Sequence, residues 1–120
     1  MTKKIKRLYL QEKKRYLKKI VGTLEKPRLS VFRSNKHIYA QLINDVTQET
    51  LVASNSLQKD ILLETLKKKP SEKAFAVGEK LAYYALKKGL PVVVFDRGAR
   101  RYHGRIRSLA EGARQKGLNF

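Results

Sequence analysis

The strongest constraint on this chain is its positive charge, which is concentrated at the two ends of the sequence. The 120 residues contain 28 lysines and arginines against 10 acidic residues, a formal net charge of +18. Residues 1–28 carry eleven basic and two acidic side chains, residues 29–96 carry ten and seven, and residues 97–120 carry seven and one. Such an excess opposes compaction unless a polyanion neutralises it. The pattern predicts one folded unit that presents two basic elements to an anionic partner.

Nucleic acid fits this requirement better than a membrane or a metal-dependent reaction does. No stretch approaches the roughly 20 apolar residues of a membrane span, and the first residues lack the apolar core of a signal peptide. The absence of cysteine excludes disulfides and thiolate metal sites, and His37 and His103 lack a metal-ligand spacing. We therefore expect a soluble protein with no membrane partner, no metal and no cofactor.

Residues 1–26 are interpreted as a basic RNA-binding extension. Apolar residues recur at helical spacing between the cations, but Lys13 interrupts the stripe and Glu12 is the only acidic residue in the first twenty. Such a helix is expected to become firm only against a partner, and the alternative is a solvated basic tail. The predicted RNA contacts in this segment are Lys3, Lys4, Lys6, Arg7, Lys13, Lys14, Arg15, Lys18 and Lys19.

The middle of the chain predicts an antiparallel meander of three strands. Residues 28–33 are rich in β-branched and aromatic side chains, and residues 34–36 form a turn in which Asn35 can adopt a left-handed conformation. The second and third strands are predicted at 37–43 and from 48 to about 54, whereas 56–69 is ambiguous.

The remainder predicts a helix, a fourth strand and a final helix. Ser71 is predicted to cap a helix that ends at Lys87, Lys88 and Gly89. The apolar run 92–95 is expected to be buried on both faces and parallel to a neighbour, and a last helix spans about 104–116 with Ile106, Leu109, Ala110 and Ala113 inward. A right-handed crossover then gives sheet order 3-2-1-4. We predict an α/β domain over residues 27–120 behind the basic helix.

Two turn segments combine cations with residues that can stack or donate hydrogen bonds. Arginine binds phosphate with two parallel hydrogen bonds, and tyrosine and histidine stack on unpaired bases. The first cluster is Arg33, Ser34, Asn35, Lys36 and His37, and the second is Arg97, Arg100, Arg101, Tyr102, His103 and Arg105. Arg28 is a further predicted contact. For the first cluster the alternative is simply that a hairpin turn needs polar residues.

An enzyme is the contrasting hypothesis. Asp45, Glu49 and Asp96 could be the metal-binding acids of a magnesium-dependent nuclease on a sheet of this order. We interpret Asp45 and Glu49 as turn residues and expect Asp96 to accept hydrogen bonds from Arg97 or from loop amides. No nucleophile motif or phosphate-binding glycine loop accompanies them, so we expect no catalysis.

Two long motifs carry a family resemblance that covers essentially the whole chain. Residues 27–41, PRLSVFRSNKHIYAQ, and residues 94–98, VFDRG, followed by YHGR at 102–105, resemble the bacterial-type large-subunit ribosomal protein eighteen. The resemblance implies a non-enzymatic protein that binds 5S rRNA through its N-terminal segment and one surface of the α/β domain. It implies further that the protein helps to attach 5S rRNA to 23S rRNA beside neighbouring proteins of the central protuberance.

The same resemblance implies no small-molecule substrate and a location in the bacterial cytoplasm or in plastids. A nonspecific basic RNA-binding module remains the second alternative to this function, because net charge alone attracts any RNA.

Overall fold

Four strands form one mixed sheet in the structure, a computed structural model that describes residues 20–34, 36–96 and 104–120. The strands are β1 (Arg28–Arg33), β2 (Ile38–Asn44), β3 (Glu49–Asn55) and β4 (Val94–Asp96). Their order is β3-β2-β1-β4, with β1 antiparallel to β2 and parallel to β4. The predicted α/β class and sheet order are confirmed.

Alternation along the strands decides which face of the sheet enters the core. Leu29 and Val31 of β1 lie opposite Leu42 and Ala40 of β2, and all four are buried. The intervening side chains point to the other face, where Phe32 and Gln41 are exposed. One face of the sheet is therefore apolar and covered, and the other is open at these positions.

Three helices follow in the described ranges: α1 (Lys59–Glu64), α2 (Pro70–Lys87) and α3 (Gly104–Gln115). The segment that was ambiguous in the sequence contains α1. Helix α2 packs against β2 and β3, and α3 packs along α2. The inward positions predicted for the last helix are confirmed, since Ile106, Leu109, Ala110 and Ala113 are buried. No helix in these ranges is long and apolar enough to cross a membrane.

The predicted cap of α2 is wrong. The helix begins at Pro70, so Ser71 lies inside its first turn and Lys69 occupies the capping position without a side-chain hydrogen bond. Proline favours the first helical position because its fixed φ suits the helix and its missing N–H needs no partner there. The predicted end is confirmed: Gly89 has φ of 75°, and the amides of Gly89 and Leu90 donate to Leu86 and Ala85.

The fourth strand differs from its prediction in position and burial. The ladder covers Val94–Asp96 rather than 92–95, because Val92 bridges to Asn119 near the C-terminus instead of to β1. Val93 is buried, but Val92, Val94 and Phe95 are only half-buried. β4 lies at the edge of the sheet beside the open face, which is why the expectation of burial on both faces fails.

Candidate nucleic-acid interface

The structure describes six of the predicted RNA contacts: Arg28, Arg33, Ser34, Lys36, His37 and Arg105. The others lie outside the described residues, which is the case for Lys3, Lys4, Lys6, Arg7, Lys13, Lys14, Arg15, Lys18, Lys19, Asn35, Arg97, Arg100, Arg101, Tyr102 and His103. Those residues remain predictions.

The turn between β1 and β2 is held by its own hydrogen bonds. The Ser34 amide donates to the His37 carbonyl oxygen at 2.8 Å, and the Ser34 hydroxyl lies 3.3 Å from both that oxygen and the His37 amide nitrogen. The His37 ring nitrogen Nδ1 lies 3.1 Å from the Ser56 hydroxyl. Ser34 and His37 therefore hold the turn in shape, while Arg33 and Lys36 are exposed on it.

Each of the two predicted clusters follows one strand of the parallel pair β1 and β4. Ser30 of β1 lies beside Asp96 of β4, and both strands run in the same direction. The chain therefore leaves β4 beside the middle of β1, and residues 97–103 lie outside the described residues. Arg105 is half-buried in the first turn of α3. Sequence reasoning placed both clusters after strands, and the register shows that these two strands are parallel neighbours.

Arg28 does not point freely to solvent. Its Nε donates to Asp45 Oδ2 at 2.9 Å and its Nη1 donates to Asp96 Oδ2 at 2.9 Å, while Nη2 lies 3.1 Å from Asp45 Oδ1. The Arg28 side chain is 21% exposed and that of Asp96 only 5%. One guanidinium thus joins the start of β1, the turn after β2 and the end of β4. We call these three residues the Arg28 clip.

The clip also fixes the chain that arrives from the predicted extension. The Gly22 amide donates to Asp45 Oδ2 at 2.6 Å, and the Asp45 amide donates back to the Gly22 carbonyl oxygen at 2.9 Å. Any Cβ at Gly22 would overlap the Ile43 carbonyl oxygen and the Arg28 amide nitrogen. The extension therefore joins the sheet where β1 begins, opposite the end that carries the 33–37 turn.

The hydrogen bonds of the clip shift the pKa values of Asp45 and Arg28. Hydrogen bonding from Arg28, and next from the Gly22 amide, holds the pKa of Asp45 below its usual range. Hydrogen bonding to Asp45 and Asp96 raises the pKa of Arg28 despite its partial burial. Both shifts favour the ionised forms of Arg28 and Asp45 at neutral pH.

The three acidic residues of the nuclease hypothesis do not converge on a common metal position. Asp45 and Asp96 both bind the Arg28 guanidinium, and Glu49 is exposed at the start of β3. The interpretation of Asp45 as a turn residue is confirmed. Asp96 accepts from Arg28, which sequence reasoning missed, whereas its predicted donor Arg97 lies outside the described residues. Within the described ranges, no group of three or more His, Asp or Glu side chains could hold a metal ion.

Sequence reasoning also missed an aromatic pair on the open face. Phe32 of β1 and Tyr39 of β2 are Cα partners, with ring centroids 5.7 Å apart and planes inclined by 42°. Phe32 is 59% exposed. Strand alternation could have found it, because Phe32 follows the inward-facing Val31 and must therefore point away from the core.

Comparisons with known proteins place this chain in a family. The model of the family described as ribosomal L18 of archaea, bacteria, mitochondria and chloroplast matches residues 1–120. Proteins called large ribosomal subunit protein uL18 are similar along most of their length. That of Clostridium beijerinckii is 51% identical over 122 residues, covering 100% of both chains. That of Microcystis aeruginosa is 54% identical over 106 residues, covering 88% of both chains. The chain belongs to the ribosomal L18 family.

Proposed function

We propose that this protein is a non-catalytic component of the large ribosomal subunit that binds 5S rRNA and helps to attach it to 23S rRNA in the central protuberance. The observation that carries an RNA-binding role is the exposure of Arg33 and Lys36 on the turn after β1, in a chain with a net charge of +18. The family resemblance supports the choice of 5S rRNA, and the names of the relatives support the large subunit.

The proposed contacts divide between two ends of the domain. The N-terminal extension enters beside the Arg28 clip, whereas Arg33 and Lys36 lie at the other end of β1, roughly 16 to 20 Å away for a strand of six residues. A 5S rRNA bound at both ends would lie along the domain. The remaining sides of the domain would then contact 23S rRNA or neighbouring ribosomal proteins. The working place is the ribosome, in the bacterial cytoplasm or in a plastid.

The proposal predicts a steep salt dependence of binding to a bacterial 5S rRNA transcript. Each phosphate that the protein neutralises releases counterions and contributes about −0.7 to −0.9 to the slope of log K against log salt concentration. Six or more contacts give a slope of about −4 or steeper, measured by filter binding. A slope shallower than about −3 would contradict the proposal. Equal affinity for an unrelated RNA of similar length would leave only a nonspecific basic module.

The turn cluster gives a second prediction. Arg33→Ala combined with Lys36→Ala should weaken 5S rRNA binding and make the salt slope shallower by about 1.4 to 1.8, since two phosphate contacts are lost. Thermal stability should stay nearly unchanged because both side chains are exposed. The matched control replaces Lys67 and Lys69, which are exposed before α2, with alanine. An equal loss of affinity in both double variants would assign the effect to overall charge.

A further inference from the structure

We propose that Phe32 and Tyr39 form a stacking platform for unpaired RNA bases on the open face of the sheet. The proposal rests on the RNA-binding role proposed above and adds a contact of different chemistry, because stacking reads the faces of bases rather than the charge of phosphates. The platform consists of the two aromatic rings and of the polar pair Ser30 and Gln41 in the next row.

The two rings lie at the centre of the sheet. In the order β3-β2-β1-β4 the two rings stand on the two central strands, facing away from α2 and α3. A four-stranded sheet that carries aromatic residues on adjacent strands of its open face is a known way to stack two or three bases. Phe32 and Tyr39 are side by side in this arrangement, 5.7 Å apart between centroids.

The Phe32 ring is unusually exposed for a large apolar side chain. A phenylalanine that is 59% exposed leaves most of an apolar ring in contact with water, although the core is one residue away at Val31. Burial of such a ring against a base is favourable, and base–aromatic stacking tolerates any base because each has a π-face. The exposed amide of Gln41 and the half-buried hydroxyl of Ser30 lie beside the rings, in reach of a base edge.

The positive charge beside the two rings selects RNA as the occupant. Arg33 follows Phe32 directly, and Lys36 lies in the turn that leads to Tyr39; both are exposed. The strand end that leads to the second arginine cluster lies on the other side of β1. Strand alternation directs the Arg33 side chain to the face opposite Phe32, so the two cations mark the sheet end beside the rings, and an RNA strand whose phosphates bind at this end would carry its bases over them. A protein partner would need acidic groups instead.

The test uses the full-length protein, a bacterial 5S rRNA transcript and a short oligouridylate whose bases are unpaired. Phe32→Leu and Tyr39→Leu should each weaken binding by about 5- to 100-fold for each stacked base that is lost. The salt slope should not change, because neither substitution removes a charge. Tyr83→Leu is the matched control: Tyr83 is an exposed aromatic residue on α2, and its removal should leave both affinities unchanged.

A second variant keeps the test independent of any loss of stability. Phe32→Trp retains a stacking ring and introduces the only tryptophan of the chain, so its fluorescence reports on this position alone. It should bind both RNAs as tightly as the wild type, with its indole quenched by bound bases. In the free protein the indole should be accessible to acrylamide. Protection from acrylamide would mean that the chain covers its own platform and would overturn the proposal.

The remaining outcomes separate the platform from the 5S assignment. If the wild type binds 5S rRNA no better than an unrelated RNA while the leucine variants still lose affinity for oligouridylate, the 5S assignment fails and the platform stands. If the leucine variants bind both RNAs as the wild type does, the platform is overturned and the face is left for a protein partner. The platform is also overturned if saturating RNA leaves the indole fluorescence of Phe32→Trp unchanged.

Discussion

Gly78→Ala is expected to lower the melting temperature by about 10 to 20 °C, corresponding to a loss of about 2 to 4 kcal/mol. Alanine is the better helix former by about 1 kcal/mol, so propensity alone predicts the opposite sign. The reason lies in packing: a Cβ at Gly78 would overlap the Leu109 carbonyl oxygen and lie 2.9 Å from its carbon and 3.1 Å from the Ala113 amide nitrogen. These are backbone atoms of α3, which cannot rotate away.

The contact between α2 and α3 is equally close at a glycine of α3. A Cβ at Gly112 would overlap the Phe75 carbonyl oxygen of α2, so the two helices approach each other through a pair of reciprocal glycines. Gly112→Ala should lower the stability of the fold by a similar amount. The double variant should lose less stability than the two single variants added together, because the first alanine already separates the helices.

Thermal unfolding followed by circular dichroism measures this effect. Glu79→Ala, at the next position of α2, is the control and should shift stability by about 0.5 kcal/mol or less. An unchanged or higher melting temperature in Gly78→Ala would show that α2 and α3 do not cross in close contact.

The strand order could be predicted because it depends on patterns that are local in sequence. Strand period, turn residues and the run 92–95 define the strands, and the handedness of the crossover then leaves one simple place for the fourth strand. The cap of α2 failed for an equally local reason: serine and proline compete for the first turn, and Pro70 takes its first position.

Contacts between residues that are far apart in the sequence could not be predicted, because no periodic pattern in the sequence indicates them. Arg28 and Asp96 are separated by 68 residues, and only the parallel register of β1 and β4 brings them together. The same holds for Gly78, whose sequence context shows an ordinary helix and gives no sign of the backbone that lies against it. For the candidate interface, sequence identified cations by type but could not tell that Arg28 is engaged by carboxylates while Arg33 is exposed.

Arg28→Met is expected to destabilise the fold by about 2 to 4 kcal/mol. Methionine preserves much of the apolar stem but leaves Asp96, 5% exposed, without this cationic partner, and a buried charge that loses its partner costs about 3 to 5 kcal/mol. The expected value is lower because the Arg28 and Asp45 side chains are 21% and 28% exposed. Arg107→Met is the control, since its pair with Glu111 is exposed at 62% and 51% and should contribute about 0.5 kcal/mol or less.

The pH dependence of this loss identifies its origin. Because the pKa of Asp45 is lowered in the folded state, its ionised form stabilises the fold above the usual carboxylate range of about 4, and this contribution disappears as the pH falls through the lowered value. In urea unfolding, the difference in unfolding free energy between the wild type and Arg28→Met should therefore be largest at neutral pH and smaller in acid. If the difference in unfolding free energy between the two proteins stays constant across this pH range, lost packing rather than the ion pairs of the clip causes the destabilisation.

RNA binding by Arg28→Met then decides which role Arg28 has at the interface. A phosphate contact would make its loss reduce the salt slope for 5S rRNA by about 0.7 to 0.9, whereas a guanidinium held by two carboxylates neutralises no phosphate. We expect an unchanged slope under conditions where the variant is fully folded, with weaker binding because the clip no longer holds the Gly22 segment and the end of β4 in place. A slope reduced by one contact would show that Arg28 contacts a phosphate, as the sequence predicts, and that RNA displaces Asp45 or Asp96 from its guanidinium.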